Sequence, residues 1–375
     1  GLRDALAIVF DIDAMADVTV IYCPSAGTYG HSGQDDVALD AALLARAVPG
    51  TAVRVLWSRA DDFIASPAGP GMVVQAAATL TDDGHISHFS IVSNSQPHAQ
   101  RPGRDGFAGL TAASLIDPPL PESVADDVPA ERGGGADRNA TPPYAIPNLC
   151  VAKRIIKDLP VRTSALRGLG AFANVCAVEA IVDEAALLAG RDPVAFRLDH
   201  LGDERAKDVI SRAAAMAGWP ASDGDGRALG IGFAQYKNKS AYCAVVAEVE
   251  LDETVRVTRA WAAADAGEVI NPDGLVNQIE GGIVQATSWT VKEALAFHGD
   301  SIVSDSWENY LILKFSEVPD IVVELIDRPE LAPLGAGETS IGPTGAAISN
   351  AVRRALGVRI ALLPITREAI LEASA

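Results

Sequence analysis

The stretch Leu334-Gly335-Ala336-Gly337-Glu338-Thr339-Ser340-Ile341-Gly342-Pro343-Thr344-Gly345 constrains the chain most. One carboxylate, Glu338, sits among glycines, which allow sharp bends and close backbone approach. Gly342-Pro343 then leads into an apolar-periodic run from Ala346 to Leu356. Proline near a helix start is a start signal, because its missing N–H would be unpaired there anyway. Glu338 is therefore expected on a tight loop just before a helix. Free amides and the helix dipole there favour an anion, either the carboxylate itself or a ligand phosphate. Helix capping alone would account for a loop glutamate, so the other stretches of this kind must decide.

Three more polar or glycine-rich stretches lie at or near helix starts: 25–33, 162–171 and 277–282. The first follows a β-branched run, Asp17–Cys23, and precedes a helical pattern from Asp35-Asp36. Strand, glycine loop and helix present backbone amides to an anion; a plain tight connection reads the same way. The second places Arg167 between small residues ahead of a helix from Phe172 to Leu188. There Val175, Val178, Val182 and Ala185 form the apolar face, with Glu179, Asp183 and Glu184 off it. The third lies on a helix opened by Asn271-Pro272-Asp273. Gly281-Gly282 costs that helix about 1 kcal/mol per glycine relative to alanine, a sign of close packing against a backbone or a ligand. Gln278 offers an amide that can both donate and accept, suited to a heterocycle edge. Together the four suit a large anionic, heteroaromatic ligand with a carboxylate nearby.

Further strands are expected at Thr51–Trp57, as a hairpin at Met72–Leu80 and His85–Asn94, and at Leu149–Ile156, Ala228–Phe233, Tyr242–Glu250, Val255–Ala262 and Ile321–Ile326. Helices are expected at Asp192–His200 and Glu204–Ala217. From Asp117 to Tyr144 prolines, acids and Gly133-Gly134-Gly135 dominate, which reads as a long surface excursion or a strap over a partner. With 375 residues, 49% apolar and 21% charged, the chain is long enough for two lobes. The division expected is 1–160 and 161–375, with an α+β, bilobal fold of mixed sheets flanked by helices.

Other chemistries fit less well. Gly168 to Ala173 resembles a dinucleotide fingerprint, but no hydrophobic strand precedes it and no acid follows at the right distance. No GxSxG occurs. His85 and His88 read as an exposed pair on a hairpin strand, and Asp265 and Asp273 as turn residues. Cys23, Cys150, Cys176 and Cys243 have no cluster or zinc spacing and read as buried thiols. A formal charge of −19 excludes a nucleic-acid backbone as partner for the chain as a whole. No apolar run approaches the roughly 20 residues of a membrane span, and no signal peptide is evident.

In order, Tyr29-Gly30-His31-Ser32-Gly33-Gln34-Asp35-Asp36, Ser164-Ala165-Leu166-Arg167-Gly168-Leu169-Gly170, Asn271-Pro272-Asp273-Gly274 with Gln278-Ile279-Glu280-Gly281-Gly282, and Gly335-Ala336-Gly337-Glu338 resemble the large molybdopterin-binding subunits of the xanthine dehydrogenase/aldehyde oxidase family. The likeness is to the carboxy-terminal half of such a bacterial large chain, over nearly the whole sequence.

The resemblance implies that Glu338 is the active-site base beside molybdenum, with Gly337 preceding it. It implies that Gly27, Thr28, Tyr29 and Gly30 belong to a cofactor loop. In that loop the Gly30 N–H would reach an oxygen ligand of the metal, and Tyr29 would replace an aromatic next to it. Arg167 would neutralise the pterin phosphate or order its loop, and Gln278 would hydrogen-bond the pterin. Tyr29 and Leu169 would line the substrate pocket, and no protein residue would ligate molybdenum, which the pterin holds. The implied reaction is oxidation of an aldehyde or an N-heteroaromatic C–H with water as oxygen source. The implied cofactor is molybdopterin cytosine dinucleotide, with [2Fe-2S] clusters on a small partner chain.

Departures carry information too. Leu169 replaces an aromatic of purine oxidisers, and no arginine stands near Ala68-Gly69-Pro70 where theirs would align, so purines are disfavoured. The family's Gly-Gln-Gly element is absent, and the chain enters a helical pattern at Leu2. A second molybdopterin-binding chain supplying the amino-terminal half is therefore expected, with a flavin or cytochrome chain in some relatives. The compartment stays open between the bacterial cytoplasm and the periplasmic face of the inner membrane. The competing class is a non-catalytic scaffold half of such a complex.

Overall fold

The computed structural model describes residues 1–23, 35–122, 126–158, 161–220, 227–252, 254–299 and 301–374. The architecture is α+β, as expected from the sequence, with mixed sheets and flanking helices. Helices α1 (Leu2–Phe10), α2 (Asp36–Ala47) and α3 (Arg59–Ala65) come first. Strands β1 (Met72–Leu80) and β2 (Ile86–Ser95) form the expected hairpin, with Gly84 at φ 81° in its turn. β3 (Asn148–Ile155) pairs in parallel with β2 to complete a three-stranded sheet, β1-β2-β3. Helices α4 (Ala171–Leu188), α5 (Pro193–Asp199) and α6 (Glu204–Ala217) follow.

The second sheet has the order β4-β5-β6-β9, from β4 (Arg227–Gln235), β5 (Tyr242–Leu251), β6 (Val255–Asp265) and, after α7 (Pro272–Val291) and the short β7 (Phe297–His298) and β8 (Ser301–Ile302), β9 (Asp320–Ile326). α8 (Ile341–Leu356) and α9 (Arg367–Ser374) close the chain. β5 is buried on both faces. Tyr242, Ala244 and Val246 meet α4, α6 and β2. Cys243, Val245 and Ala247 meet α7 and α8.

α8 is the innermost helix, buried continuously from Ile341 to Val352. It reaches the sheet because β4 carries glycine at two positions on that face. A Cβ at Gly230 would lie 2.2 Å from Ala347 O, and one at Gly232 2.3 Å from Pro343 O. Alanine at either position would force helix and strand apart, so this pair sets how deep α8 sits.

Several expectations need correction. Asp17–Cys23 and Thr51–Trp57 form no strands; among the described residues neither has a ladder partner, and the second alternates in burial along its length. The 117–144 region is a surface excursion only in its first part: most described residues from 117 to 132 are exposed, but the chain then turns inward. Residues 134–136 and 138–140 are buried, and Asn174 on α4 donates to the carbonyls of Ala136 (2.8 Å) and Arg138 (2.9 Å). Glu179 is fully buried, not on a polar face: it meets Arg197 Nε (2.9 Å), the Tyr144 hydroxyl (2.6 Å) and the Phe233 N–H (3.1 Å). Cys23 and Cys150 are exposed, while Cys243 is buried; all four thiols are free. Among the described residues no helix is long and apolar enough to cross a membrane.

Candidate active site

The site forms where α8 begins. Ser340 is its N-cap and Pro343 falls in the first turn, two residues deeper than the sequence implied. The polar side chains of the preceding loop are spent on anchoring it. Thr339 Oγ1 donates to Ala241 O (2.9 Å) and Ser340 Oγ to Ile279 O on α7 (3.0 Å). The second anchor explains Gly282, since a Cβ there would stand 2.1 Å from Ser340 Oγ.

Arg167 ties three of the four stretches together. It is 6% exposed. Its Nε donates to Gly337 O (2.7 Å), and Nη2 donates to that oxygen as well. Nη2 also reaches Gln278 O (3.0 Å) and Gln278 Oε1 (3.1 Å), and Nη1 reaches Gln285 Oε1 (3.3 Å). Five donors in a fixed fork suit this three-way clasp, which a lysine ammonium could not reproduce.

The next two residues turn left-handed, Gly168 at φ 90° and Leu169 at φ 52°. This kink aims the Gly168 N–H at Glu338, which accepts it on Oε1 (2.8 Å). Leu169, at the same kink, is half-buried. Residues 68–70, where purine oxidisers would carry arginine, lie against this segment. Ala68 bridges to Thr163, and a Cβ at Gly69 would meet Leu166 Cδ1 at 2.3 Å.

Two residues that sequence reasoning missed bear on Glu338, one directly and one through the other. The Tyr236 hydroxyl, just past β4, donates to Glu338 Oε2 (2.7 Å). Arg138 Nη1 donates to that hydroxyl (2.8 Å). Burial, and then the Glu338 charge, hold the Tyr236 hydroxyl well above its ordinary pKa, so it stays protonated. Arg138 lies 98 positions before Tyr236, and Tyr236 lies 102 before Glu338, so no local pattern links them.

Beside Arg167 and α7 opens a cleft of about 430 Å³. Arg167, Asn277, Gln278, Gln285, Ser288 and Glu293 supply its polar side chains, and Gly281 bares backbone to it. Gln278 and Gly281 are exposed into it, and a Cβ at Gly281 would intrude to 3.8 Å from Arg167 Nη1. Amides that both donate and accept, a guanidinium and a bare backbone fit the edge of a pterin, which carries donors and acceptors together. Gly27, Thr28, Tyr29 and Gly30 lie outside the described residues. One apparent metal cluster, His85, Asp199 and His200, does not hold up. His200 Nε2 accepts from the Ile86 N–H (3.1 Å), which leaves Nδ1 to donate to Phe196 O (2.8 Å). Neither nitrogen of His200 retains a lone pair for a metal.

Mixed sheets around a buried helix, with glycine loops converging on a carboxylate beside an amide-lined cleft, define a chain of the ligand-binding α+β class. A molybdopterin cofactor-binding domain matches residues 184–319, which include Gln278 but neither Arg167 nor Glu338. A nicotinate dehydrogenase chain of Pseudomonas putida is 35% identical over 98% of this chain and 31% of its own length. The beta chain of isoquinoline 1-oxidoreductase from Brevundimonas diminuta is 31% identical over 90% of this chain and 41% of its own. Quinoline 2-oxidoreductase of Pseudomonas putida 86 superposes with a TM-score of 0.76 at 15% identity, covering 99% of this chain and 70% of that one. This chain belongs to the molybdopterin-binding subunits of the xanthine dehydrogenase/aldehyde oxidase family. It spans about a third to two fifths of the length of these two curated relatives.

Proposed function

We propose that this chain provides the base-bearing part of a molybdenum-dependent hydroxylase or dehydrogenase that oxidises an N-heteroaromatic C–H or an aldehyde carbon with water as oxygen source. The observation that carries this reading is the Glu338 carboxylate, held through both oxygens where the three described stretches meet. The names of the relatives, a nicotinate dehydrogenase and an isoquinoline oxidoreductase, support the heteroaromatic arm.

The molybdenum cofactor, when bound, supplies the two-electron oxidation, and the protein positions it. Glu338 accepts the proton released as the oxygen nucleophile forms, on a lone pair not used by its bonds to Gly168 and Tyr236. General-base assistance of this kind is worth about 10²–10⁴-fold. Gln278 offers its amide to the pterin edge, and Gly337 lets the backbone approach. Of the two roles expected for Arg167, its donors to Gly337 O and Gln278 support loop ordering over charge neutralisation. Leu169 would lend the substrate pocket an apolar wall, and by the resemblance Tyr29 would line the same pocket, with Gly27, Thr28 and Gly30 in the cofactor loop. Leu169 in place of an aromatic, with no arginine at 68–70, argues against purine substrates.

We further propose the cytosine dinucleotide form of the cofactor, [2Fe-2S] clusters on a small partner chain, and a second chain or segment for the remaining wall. A flavin or cytochrome chain is a further candidate partner. Residues 1–160 and 161–375 would act as the two cofactor-binding lobes. Glu338→Gln tests the reading: turnover falls by at least about 10²-fold while molybdenum stays bound. Mass spectrometry of the purified complex should show molybdenum, cytidine monophosphate and co-purifying chains. Unchanged turnover would refute the base assignment, and a complex without molybdenum or partner would favour the scaffold reading.

A further inference from the structure

We propose that Tyr236, fixed by Arg138, is a positioning residue that aims Glu338 and keeps its Oε2 an acceptor. The inference rests on Glu338 being the base. Its direction follows from donor inventory. Arginine has no acceptor, so Arg138 Nη1 must donate to Tyr236 Oη. The single hydroxyl proton of Tyr236 is then committed to Glu338 Oε2. With the Gly168 N–H on Oε1, both carboxylate oxygens are held, and rotation about the last side-chain bond is blocked.

Tyr236 is itself clamped. Arg138 Nε donates to Gly133 O (3.0 Å) and Nη2 to Gly134 O (2.6 Å), both glycines having left-handed φ. Asn139 Nδ2 donates to Gln235 O (2.7 Å), and Asn139 Oδ1 accepts from the Lys237 N–H (2.9 Å). Lys237, Asn238 and Asn139 all hold left-handed φ, between 55° and 59°. Non-glycine residues keep such angles only where the surroundings over-determine them, and such strain collects at functional sites. The Gly133-Gly134-Gly135 run thus serves to carry Arg138 to Tyr236. Among the described residues, two further cations lie within electrostatic range of Glu338: Lys237 beside Tyr236 and Arg101 on the loop after β2.

Tyr236→Phe removes the proton and keeps the ring. In the holoenzyme, the infrared carboxylate stretch of Glu338, identified as the band missing in Glu338→Gln, should shift. The acid limb of kcat/KM should move to higher pH by about one unit, the scale of one hydrogen bond to a charged group. Placing 3,5-difluorotyrosine at position 236 strengthens the donor without changing the fold, and should move both readouts the opposite way. A merely structural tyrosine would lower melting temperature and leave both readouts in place. An unmoved stretch and limb in both proteins overturn the proposal. If instead Glu338→Gln turns over normally, the base reading fails, while the infrared shift still reports on the Tyr236 bond.

Discussion

Gly232→Ala probes how the packing of β4 governs the site. The new Cβ would stand 2.3 Å from Pro343 O, 2.8 Å from Ala346 Cβ and 2.9 Å from Ala347 N. Ordinary contact begins near 3.4 Å, so the first turn of α8 must retreat by about 1 Å, because all three atoms belong to a helix with no room to deform. Overpacking of this kind costs about 1–3 kcal/mol, or about 1–4 °C of melting temperature in a chain of this length. The same turn follows Glu338, so the carboxylate moves with it and strains its bonds to Gly168 and Tyr236. A displacement of about 1 Å at reacting groups lowers turnover by about 10²-fold. Differential scanning calorimetry and steady-state kcat on the purified complex measure the two effects. Wild-type melting with wild-type kcat would refute the account of the interface. Lowered melting with wild-type kcat would leave the packing argument standing and break its link to Glu338.

Arg167→Lys keeps the charge but loses the fork. The expected outcome is a markedly lower molybdenum and pterin content, measured by metal analysis and cofactor extraction, with the Gly335–Ser340 loop more open to proteolysis. Asp265 gives the pH prediction. It is fully buried, yet Arg205, Arg328 and the Gly267 N–H outweigh the desolvation that opposes them and hold its carboxyl below its usual 3.8. A depressed folded-state pKa contributes stability above the unfolded value and loses it as pH falls through the folded one. Melting temperature should therefore fall as pH drops below about 4, and Asp265→Asn should flatten that fall while lowering stability at neutral pH. An unchanged slope in the variant would refute the assignment.

What the sequence revealed and what it hid divide along a physical line. Glu338, Arg167 and Gln278 were legible because glycines and helix starts flag them locally, and the structure joins those three stretches through one guanidinium. Arg138 and Tyr236 carried no flag. Arg138 sits in a proline- and acid-rich segment whose composition resembles surface chain, and its burial depends on Asn174 of α4 capturing the carbonyls around it. Tyr236 follows Gly230 and Gly232 by a few residues. The spacing of two glycines inside a strand was the available sign that something packs closely there, but not what. Thr51–Trp57 shows the converse failure. Its residues favour extended backbone, but ladder pairing needs a second strand, and none is supplied among the described residues. The half-buried alternation that survives there is what a strand awaiting a neighbour would show. Likewise Glu179 was placed off the apolar face by helical spacing alone, and only the arrival of Arg197 from α5 makes its burial tolerable. Arg138, Tyr236 and Glu179 were missed because the deciding partner lies on another element, whereas Glu338, Arg167 and Gln278 stand out by a local backbone requirement.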